Sequence, residues 1–482
     1  MIKILLRGEF MFETIIDAIN TFLYSKLLIV ILIGSGIYFT IRIRFPQVRL
    51  FRKACNAVME KPEGKESVSS FQALMVSTAS RVGTGNIVGV SSAICIGGVG
   101  SVFWMWIIAI LGSASALAES TLAQIYKKKG EDGKCYGGPA YYIEAALHSR
   151  GLAVVFCIAM ILTYAFGFNM LASYNLQSTF AGQPFYNADI TPWIIGGILA
   201  LVMGWCLLGG GNRIVKVTST LVPFMGIAYI LVSLFVVVLN IGQLPSVMAQ
   251  IFKEAFDFKA IFAGFAGSAM MQGIRRGLYS NEAGIGSAPN AAASAVVSHP
   301  VKQGLVQMLS VFIDTLLLCT ATAMMCLVSG VIPAKELQGA PWVQAALHKT
   351  LGSFGPYFIM IAMVLFAFTT LLGNCFYCDN LLTYIHKKQP DRKFMTGFRI
   401  VSALAVFWGA GMEMTLLWHI SDVLMGVMAL INIPVILILS NTVAKALKDY
   451  EIQIQQKKNP VFFSKNIDLK QKTDYWNEKT NQ

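Results

Sequence analysis

The chain has 482 residues, of which 55% are hydrophobic and 13% are charged. Soluble proteins carry about 25% charged residues, and apolar runs of about 20 residues, long enough to cross a bilayer, recur along this chain. The composition therefore excludes a soluble protein and predicts an all-α protein embedded in the lipid bilayer. The formal net charge of +13 does not require nucleic acid as a partner, because most lysines and arginines fall on one predicted side of the membrane.

Apolar residues at helical spacing in residues 12–23 predict an amphipathic helix on the membrane surface. It belongs to an N-terminal region, residues 1–70, that also holds the first span and a basic cytoplasmic loop. The clustering of lysine and arginine places the N-terminus outside and the C-terminus in the cytoplasm. Eleven membrane spans are predicted: 26–44, 71–97, 102–126, 151–180, 191–208, 214–240, 257–275, 303–330, 355–385, 395–412 and 416–440.

The second span carries polar residues and glycines at its centre, in the stretch STASRVGTGN. Glycine weakens a helix, and Arg81 is costly in hydrocarbon. Interrupted backbone is tolerated at membrane depth where it is buried in protein or lines a cavity. The stretch therefore predicts a broken helix with a binding site in its gap. The alternative is close packing of two helices through small residues.

Spans two to six (71–240) and seven to eleven (257–440) form two sets of five helices. Because five is odd, the second set is inverted relative to the first. Its opening helix, AIFAGFAGSAMMQGIRRG, is also rich in glycine, including Gly264, Gly267 and Gly273. Interrupted helices at corresponding places in two repeats indicate a transporter binding site.

A broken helix exposes opposite ends of two helix dipoles. The N–H groups of Gly83, Thr84 and Gly85 would suit a carboxylate, and the carbonyls of residues 77–80 would suit a cation or an ammonium group. An amino acid carries both charges. Thr369 and Thr370 could supply oxygen ligands to a hard cation, or could simply bond to their own helix.

Other polar groups lie within apolar spans. Asn169 could reach the gap or join two helices. Arg81 is predicted to form a structural or gating ion pair with Glu119 or Asp314, although it could instead contact a substrate carboxylate. The two acids could also be protonatable groups that couple transport to H⁺.

Enzyme and nucleotide motifs are missing from the sequence. The five histidines fall in loops or at span ends, and no GxxxxGK[ST] stretch is present. The protein is therefore expected to have no catalytic residues and no cofactor, and to take its energy from an ion gradient.

Residues 127–138 are predicted to form a polar cytoplasmic loop, residues 278–295 a loop with a short helix at the inner face, and residues 331–354 a partly helical outer loop. The cytoplasmic tail, 441–482, is predicted to be partly disordered from Lys445 onward.

Three stretches, GTGNIVGV, GGVGSVFWMWIIAILG and RRGLYSNEAGIGSAPNAAASA, resemble the alanine or glycine:cation symporter family. The resemblance covers most of the eleven spans. It implies the leucine-transporter fold of two inverted five-helix repeats after one extra N-terminal span. It also implies uptake of a small neutral amino acid such as alanine or glycine, coupled to Na⁺ and less usually to H⁺.

The resemblance also implies which residues form the sites. The substrate residues it implies are Thr78, Gly83, Thr84, Gly85, Asn169, Gly267, Ser268, Met271 and Gln272. The sodium ligands it implies are the carbonyls of Ala79 and Val82 and the hydroxyls of Thr369 and Thr370.

Gln272 stands where some family members have a bulky aromatic residue, so a longer substrate such as glutamine is an alternative. An amino-acid channel and a nutrient sensor that binds without transport are more distant alternatives. The resemblance implies a location in a bacterial plasma membrane, and a monomer is expected.

Overall fold

The computed structural model describes residues 14–60, 68–257, 268–469 and 473–476, and these residues are mainly helical. Seven helices within them are long and apolar enough to cross a membrane: α1 (Thr14–Arg42), α6 (Ser101–Ile125), α8 (Arg150–Ser178), α10 (Gly210–Leu239), α14 (Pro300–Val328), α16 (Phe354–His386) and α18 (Met414–Ile438). Each corresponds to one of the predicted spans, so the protein is a multi-pass membrane protein.

Twelve further α-helices, four short 3₁₀ helices and one hairpin complete the described part of the chain. The helices are α2 (Pro46–Arg49), α3 (Phe51–Val58), α4 (Ser70–Arg81), α5 (Val88–Gly97), α7 (Pro139–Leu147), α9 (Thr191–Leu207), α11 (Leu244–Ala255), α12 (Ala269–Asn281), α13 (Ala288–Ser294), α15 (Ala340–Leu351), α17 (Arg392–Ala410) and α19 (Ser440–Gln455). The hairpin pairs β1 (Lys128–Lys129) with β2 (Cys135–Tyr136) within the predicted polar loop. The helix α15 lies within residues 331–354, which were predicted to be partly helical.

The predicted surface helix at the N-terminus is not separate from the first span. Residues 14–22 are helical and continue through a π-helical segment, Leu23–Leu28, into the apolar part of α1. Tyr24 in this segment is buried, and its hydroxyl donates to the backbone carbonyl of Asp422 in α18. The chain therefore packs on the protein at Tyr24, whereas Ile15 and Ile19 of the predicted amphipathic face are exposed.

The helix α6 lies at the centre of the packing, where it contacts α1, α12 and α14. Two glycines allow this close approach. A Cβ atom at Gly273 of α12 would lie 2.4 Å from the carbonyl oxygen of Ser101, and one at Gly304 of α14 would lie 2.7 Å from that of Leu117. Larger residues would push the helices apart, as is typical of helix pairs in membranes.

Arg275 and Arg276 lie near the end of the stretch that was predicted to open the second repeat. Both lie within α12 and are buried. Arg276 forms an ion pair with Asp422 of α18 at 2.6 Å, and its guanidinium lies 3.8 Å from the centre of the Trp418 ring. Because the two charges are paired, neither is left uncompensated in the interior of the protein, where an isolated charge is costly.

The tail, predicted to be partly disordered, is ordered in its described residues, 441–469 and 473–476. The helix α19 extends to Gln455, and the chain then returns to the membrane domain. The N–H of Phe462 donates to the carbonyl of Ser298 at 2.9 Å. Trp476 is 2% exposed and donates through Nε1 to the carbonyl of Gln124, at the end of α6.

Candidate functional site

The predicted interruption of the second span is confirmed. The helix α4 ends at Arg81, a 3₁₀ turn covers Thr84–Asn86, and α5 begins at Val88. Gly83 between them has extended backbone, with φ −142° and ψ −154°. We call α4, residues 82–87 and α5 the first interrupted helix.

The side chain of Asn86 holds this break open. Its Oδ1 accepts the N–H of Gly83 at 2.8 Å, and its Nδ2 donates to Oδ1 of Asp314 at 2.8 Å. An asparagine side chain thus replaces the helical partner of a backbone group. The expectation that the N–H of Gly83 is free for a substrate carboxylate is wrong in this conformation.

The same hydrogen bonds release two carbonyl groups from their helical donors. In a continuous helix the N–H of Gly83 would donate to Ala79, and that of Asn86 would donate to Val82. Instead, Gly83 donates to Asn86 Oδ1, and the N–H of Asn86 donates to the carbonyl of Gly83 at 3.2 Å. The carbonyls of Ala79 and Val82 therefore lose their usual α-helical partners.

The two threonines of α16 behave differently. Thr369 donates to the carbonyl of Leu365 at 2.9 Å, which is an ordinary bond within a helix. The hydroxyl oxygen of Thr370 is buried without a hydrogen-bond partner among the described residues. It faces the break, because a Cβ atom at Gly83 would lie 2.0 Å from it. Thr370 is thus the better candidate for a ligand.

A second interruption lies further along the chain than predicted. The helix α12 runs without a break through Gly273 to Asn281, and α13 begins at Ala288. Between them, Glu282 adopts a left-handed conformation with φ 54°. We call α12, residues 282–287 and α13 the second interrupted helix. Gly264 and Gly267, which were expected to interrupt the seventh span, lie outside the described residues.

The unwound residues 282–287, which lie in the predicted loop 278–295, are buried within the protein. Side chains of two spans satisfy their backbone. Glu119 of α6 accepts the N–H of Gly284 at 3.2 Å, and Asn432 of α18 donates to the carbonyl of Gly284 at 2.9 Å. Such partners allow irregular backbone inside a membrane protein. The predicted short helix in this segment is α13.

The two interrupted helices run antiparallel with their breaks side by side. A Cβ atom at Gly97 would lie 2.7 Å from Gln272 Cβ, whereas one at Gly85 would lie 2.6 Å from the Tyr279 ring. The order of contacts along one helix is therefore reversed along the other. At the breaks, Ser80 Oγ lies 2.9 Å from Glu282 Oε1.

This register separates three predicted substrate residues from the first break, namely Ser268, Met271 and Gln272. Ser268 caps the start of α12 by accepting the N–H of Met271 at 3.2 Å. Gln272 lies against Gly97, at the far end of α5. Tyr279 faces the break instead, seven residues and about 10 Å further along α12.

Other predicted residues do lie around the first break. Thr78 Oγ1 is 3.4 Å from Ser310 Oγ. Thr84 Oγ1 accepts from Asn175 Nδ2 at 3.1 Å. Asn169 is connected to the break through Asn374, whose Nδ2 donates to Asn169 Oδ1 at 2.9 Å.

Sequence reasoning missed four polar residues at the two breaks. All four are buried, either in the membrane helices or in the unwound segment: Asn175, Ser280, Glu282 and Asn374. A search for every polar residue inside an apolar span would have found Asn175 and Asn374. Glu282 was hidden because its surroundings, NEAGIGS, have the composition of a loop.

Arg81 forms no ion pair within 4.0 Å in the described part of the chain. It is 2% exposed and donates to Gln307 Oε1 at 3.4 Å. Its two predicted partners have other donors. Asp314 accepts from Asn86, and Glu119 accepts from Asn432 Nδ2 at 2.8 Å. The structure thus does not bring Arg81 into direct contact with either acid.

Comparison with known proteins gives a consistent result. A family model described as the sodium:alanine symporter family matches residues 9–464. GlnT of Bacillus subtilis (strain 168), a probable sodium/glutamine symporter, is 43% identical over 454 residues, which are 94% of this chain and 93% of that protein. The amino-acid carrier protein AlsT of the same organism is 42% identical over 471 residues, 98% of this chain and 99% of AlsT. The sodium/alanine symporter AgcS of Methanococcus maripaludis is 36% identical over 455 residues, 93% of this chain and 99% of AgcS.

Proposed function

The chain belongs to the sodium:alanine symporter family, and on this premise we propose that it takes up a small neutral amino acid together with Na⁺. Alanine and glycine are the proposed substrates. The Na⁺ gradient supplies the energy, and the site opens alternately to the two sides of the membrane. The protein acts as a transporter and not as an enzyme.

The contact between two interrupted helices carries this proposal. Antiparallel helices whose breaks meet are the arrangement expected at the centre of two inverted repeats. The 2.9 Å approach of Ser80 to Glu282 is that contact. It supports an eleven-span leucine-transporter fold with repeats at 71–240 and 257–440. In this arrangement the second broken span is Ala269–Ser294, in place of 257–275.

The proposed Na⁺ site lies at the first break. The carbonyls of Ala79 and Val82 are released from their helical donors, and the Thr370 hydroxyl has no hydrogen-bond partner within the described ranges. Together they provide oxygen ligands for a hard cation. Thr369 is a weaker candidate because its hydroxyl already bonds to Leu365. Na⁺ binding and substrate binding should strengthen each other by the same factor.

The proposed substrate site lies beside this cation site. Thr78, Thr84, Gly85 and Asn169 surround the first break. The proposed role of Gln272 in selecting glutamine has less support, because Gln272 packs against Gly97 at the far end of α5. The choice between alanine, glycine and glutamine is therefore left to the transport assay.

We place the protein in a bacterial plasma membrane as a monomer, with the N-terminus outside and the C-terminus in the cytoplasm. The distribution of lysine and arginine supports this orientation.

Uptake into proteoliposomes tests the function. Purified protein would be supplied with radiolabelled alanine, glycine or glutamine, with an inward Na⁺ gradient or with equal Na⁺ on both sides. Accumulation above equilibrium with the gradient alone is the expected result. Equal uptake under both conditions would indicate a channel. Tight binding without flux would indicate a sensor.

A further inference from the structure

A chain of hydrogen bonds runs from Glu282 to the backbone of α8. Glu282 Oε1 lies 2.9 Å from Ser80 Oγ, which lies 2.7 Å from Asn374 Oδ1. Asn374 Nδ2 lies 2.9 Å from Asn169 Oδ1, and Asn169 Nδ2 lies 3.4 Å from the carbonyl of Ala165. These hydrogen bonds thus connect the second interrupted helix to Asn169, a proposed substrate residue.

The direction of each hydrogen bond in this series follows from counting the hydrogens that its groups can donate. The carbonyl of Ala165 can only accept, so Asn169 must donate to it, Asn374 to Asn169, and Ser80 to Asn374. The hydroxyl of Ser80 has a single hydrogen, which is then used on Asn374. An ionised Glu282 is also acceptor-only, so its 2.9 Å contact with Ser80 would have no hydrogen.

Turning the side-chain amides does not remove this shortage. If Asn374 and Asn169 are both rotated, Asn374 can donate to Ser80, and Ser80 can donate to Glu282. The Oδ1 of Asn169 then faces the Sγ of Cys375 at 3.9 Å and the carbonyl oxygen of Ala165 at 3.4 Å. The Cys375 thiol can donate to it, but its contact with the Ala165 carbonyl is left without a hydrogen. A proton on Glu282 Oε1 supplies the hydrogen and completes every bond in the chain.

We propose that Glu282 carries a proton in this conformation and that the proton fixes the direction of the hydrogen bonds leading to Asn169. Glu282 is then a positioning residue, since it acts on the substrate site through Ser80, Asn374 and Asn169. The inference rests on the proposed transport function only for its effect on uptake.

The charged and titratable groups that face Glu282 come from four elements. They are Arg81 of α4, Tyr164 of α8, Tyr279 of α12 and Tyr377 of α16. Arg81 is the one cation among them, and it also faces Glu119 and Asp314. Ionising all three acids would therefore leave more negative than positive charge in a buried region of the membrane.

The partners of the three acids identify Glu282 as the proton carrier. Asp314 and Glu119 each accept from an amide nitrogen, which can only donate and so favours the ionised form. Asp314 also accepts from the hydroxyls of Ser280 and Thr315. In the described part of the protein, the side-chain hydrogen-bond partners of Glu282 are all hydroxyls: Ser80 at 2.9 Å, Ser287 at 2.6 Å and Tyr164. A hydroxyl can accept as well as donate, so Ser80 can accept a hydrogen bond from the protonated Oε1 of Glu282 while Ser287 donates to Oε2.

The variant Glu282→Gln gives a direct test. The Nε2 of glutamine donates to Ser80 as the protonated acid does, and its Oε1 accepts from Ser287. Infrared difference spectra of the full-length protein should contain the C=O stretch of a protonated carboxyl group at about pH 7 in the wild type, and this band should be absent in Glu282→Gln. The control Tyr377→Phe, which removes a neighbouring phenol, should retain the band.

Transport gives the second readout. Na⁺-driven uptake by the wild type should fall by about tenfold per pH unit above the titration of Glu282, whereas uptake by Glu282→Gln should change by less than about twofold between about pH 7 and about pH 10. Tyr377→Phe should keep the wild-type profile.

Two results would overturn the inference: no Glu282-dependent carboxyl band at about pH 7, or a pH profile of Glu282→Gln that matches the wild type. The infrared result needs no transport. If no variant accumulates substrate but the band is present, the proposed function fails and the inference stands. If uptake is normal and the band is absent, only the inference fails.

Discussion

Gly83 and Thr370 face each other so closely that a Cβ atom at residue 83 would lie 2.0 Å from the Thr370 hydroxyl oxygen. The contact joins the break in the first interrupted helix to α16. We predict that Gly83→Ala abolishes Na⁺-driven uptake, because overpacking of this kind typically costs about 1–3 kcal/mol and would displace the proposed ligand. Gly89→Ala is the matched control, since its Cβ would make an ordinary 3.7 Å contact with Trp418. Wild-type uptake by Gly83→Ala would contradict the proposed site.

The adjacent threonines of α16 allow a second, paired prediction. Thr370→Val should raise the Na⁺ concentration for half-maximal uptake by about tenfold or more, equivalent to about 1.4 kcal/mol, because it removes a cation ligand without changing side-chain shape. Thr369→Val removes a bond to Leu365 and should change this concentration by less than about threefold. Uptake measured against Na⁺ concentration separates the two. Equal effects of both variants would place the cation elsewhere.

The buried pair of Arg276 and Asp422 should contribute to stability in an asymmetric way. Asp422→Ala leaves a guanidinium buried without its partner and should destabilise the protein by about 3–5 kcal/mol. The double variant Arg276→Met, Asp422→Ala should be more stable than Asp422→Ala alone, because the uncompensated charge is gone. Thermal unfolding in detergent would measure both. A double variant no more stable than Asp422→Ala would show that the ion pair is not what Asp422 provides.

The packing of the tail leads to a fourth prediction. Trp476→Ala should lower stability by about 3–5 kcal/mol, because the side chain is buried and donates to Gln124. Trp205→Ala is the control, since Trp205 is 67% exposed on α9, and its loss should cost less than about 0.5 kcal/mol. Unfolding of the two variants in the same detergent would be compared. Similar losses would mean that the tail is not packed on α6.

The two interrupted helices explain which parts of the site the sequence could predict. The first break was predictable because polar residues and glycine stand within a long apolar run. The second was misplaced because NEAGIGS has the composition of an exposed loop. An unwound buried segment and a solvent-exposed turn use the same residue types. The buried segment differs in that residues far away in the sequence, here Glu119 and Asn432, form hydrogen bonds with its backbone.

The same limit applies to individual residues. The sequence identified Thr369 and Thr370 together, but their different roles depend on which hydroxyl already has a carbonyl to bond. Seven of the predicted spans are confirmed because hydropathy measures the length of an apolar helix directly. Gln272 was assigned to the pocket by analogy, and the register between α5 and α12 that places it near Gly97 has no signature in composition.

The length of α16 has a mechanical consequence. Its 33 residues span about 50 Å, well beyond the roughly 30 Å thickness of the hydrocarbon layer, and Thr370 lies at its midpoint. A rigid rod that rocks by about 10° about its centre displaces each end by about 4 Å while the centre stays nearly stationary. A hydroxyl at the fulcrum can thus keep its position relative to Gly83 while the two ends of the helix swing in opposite directions.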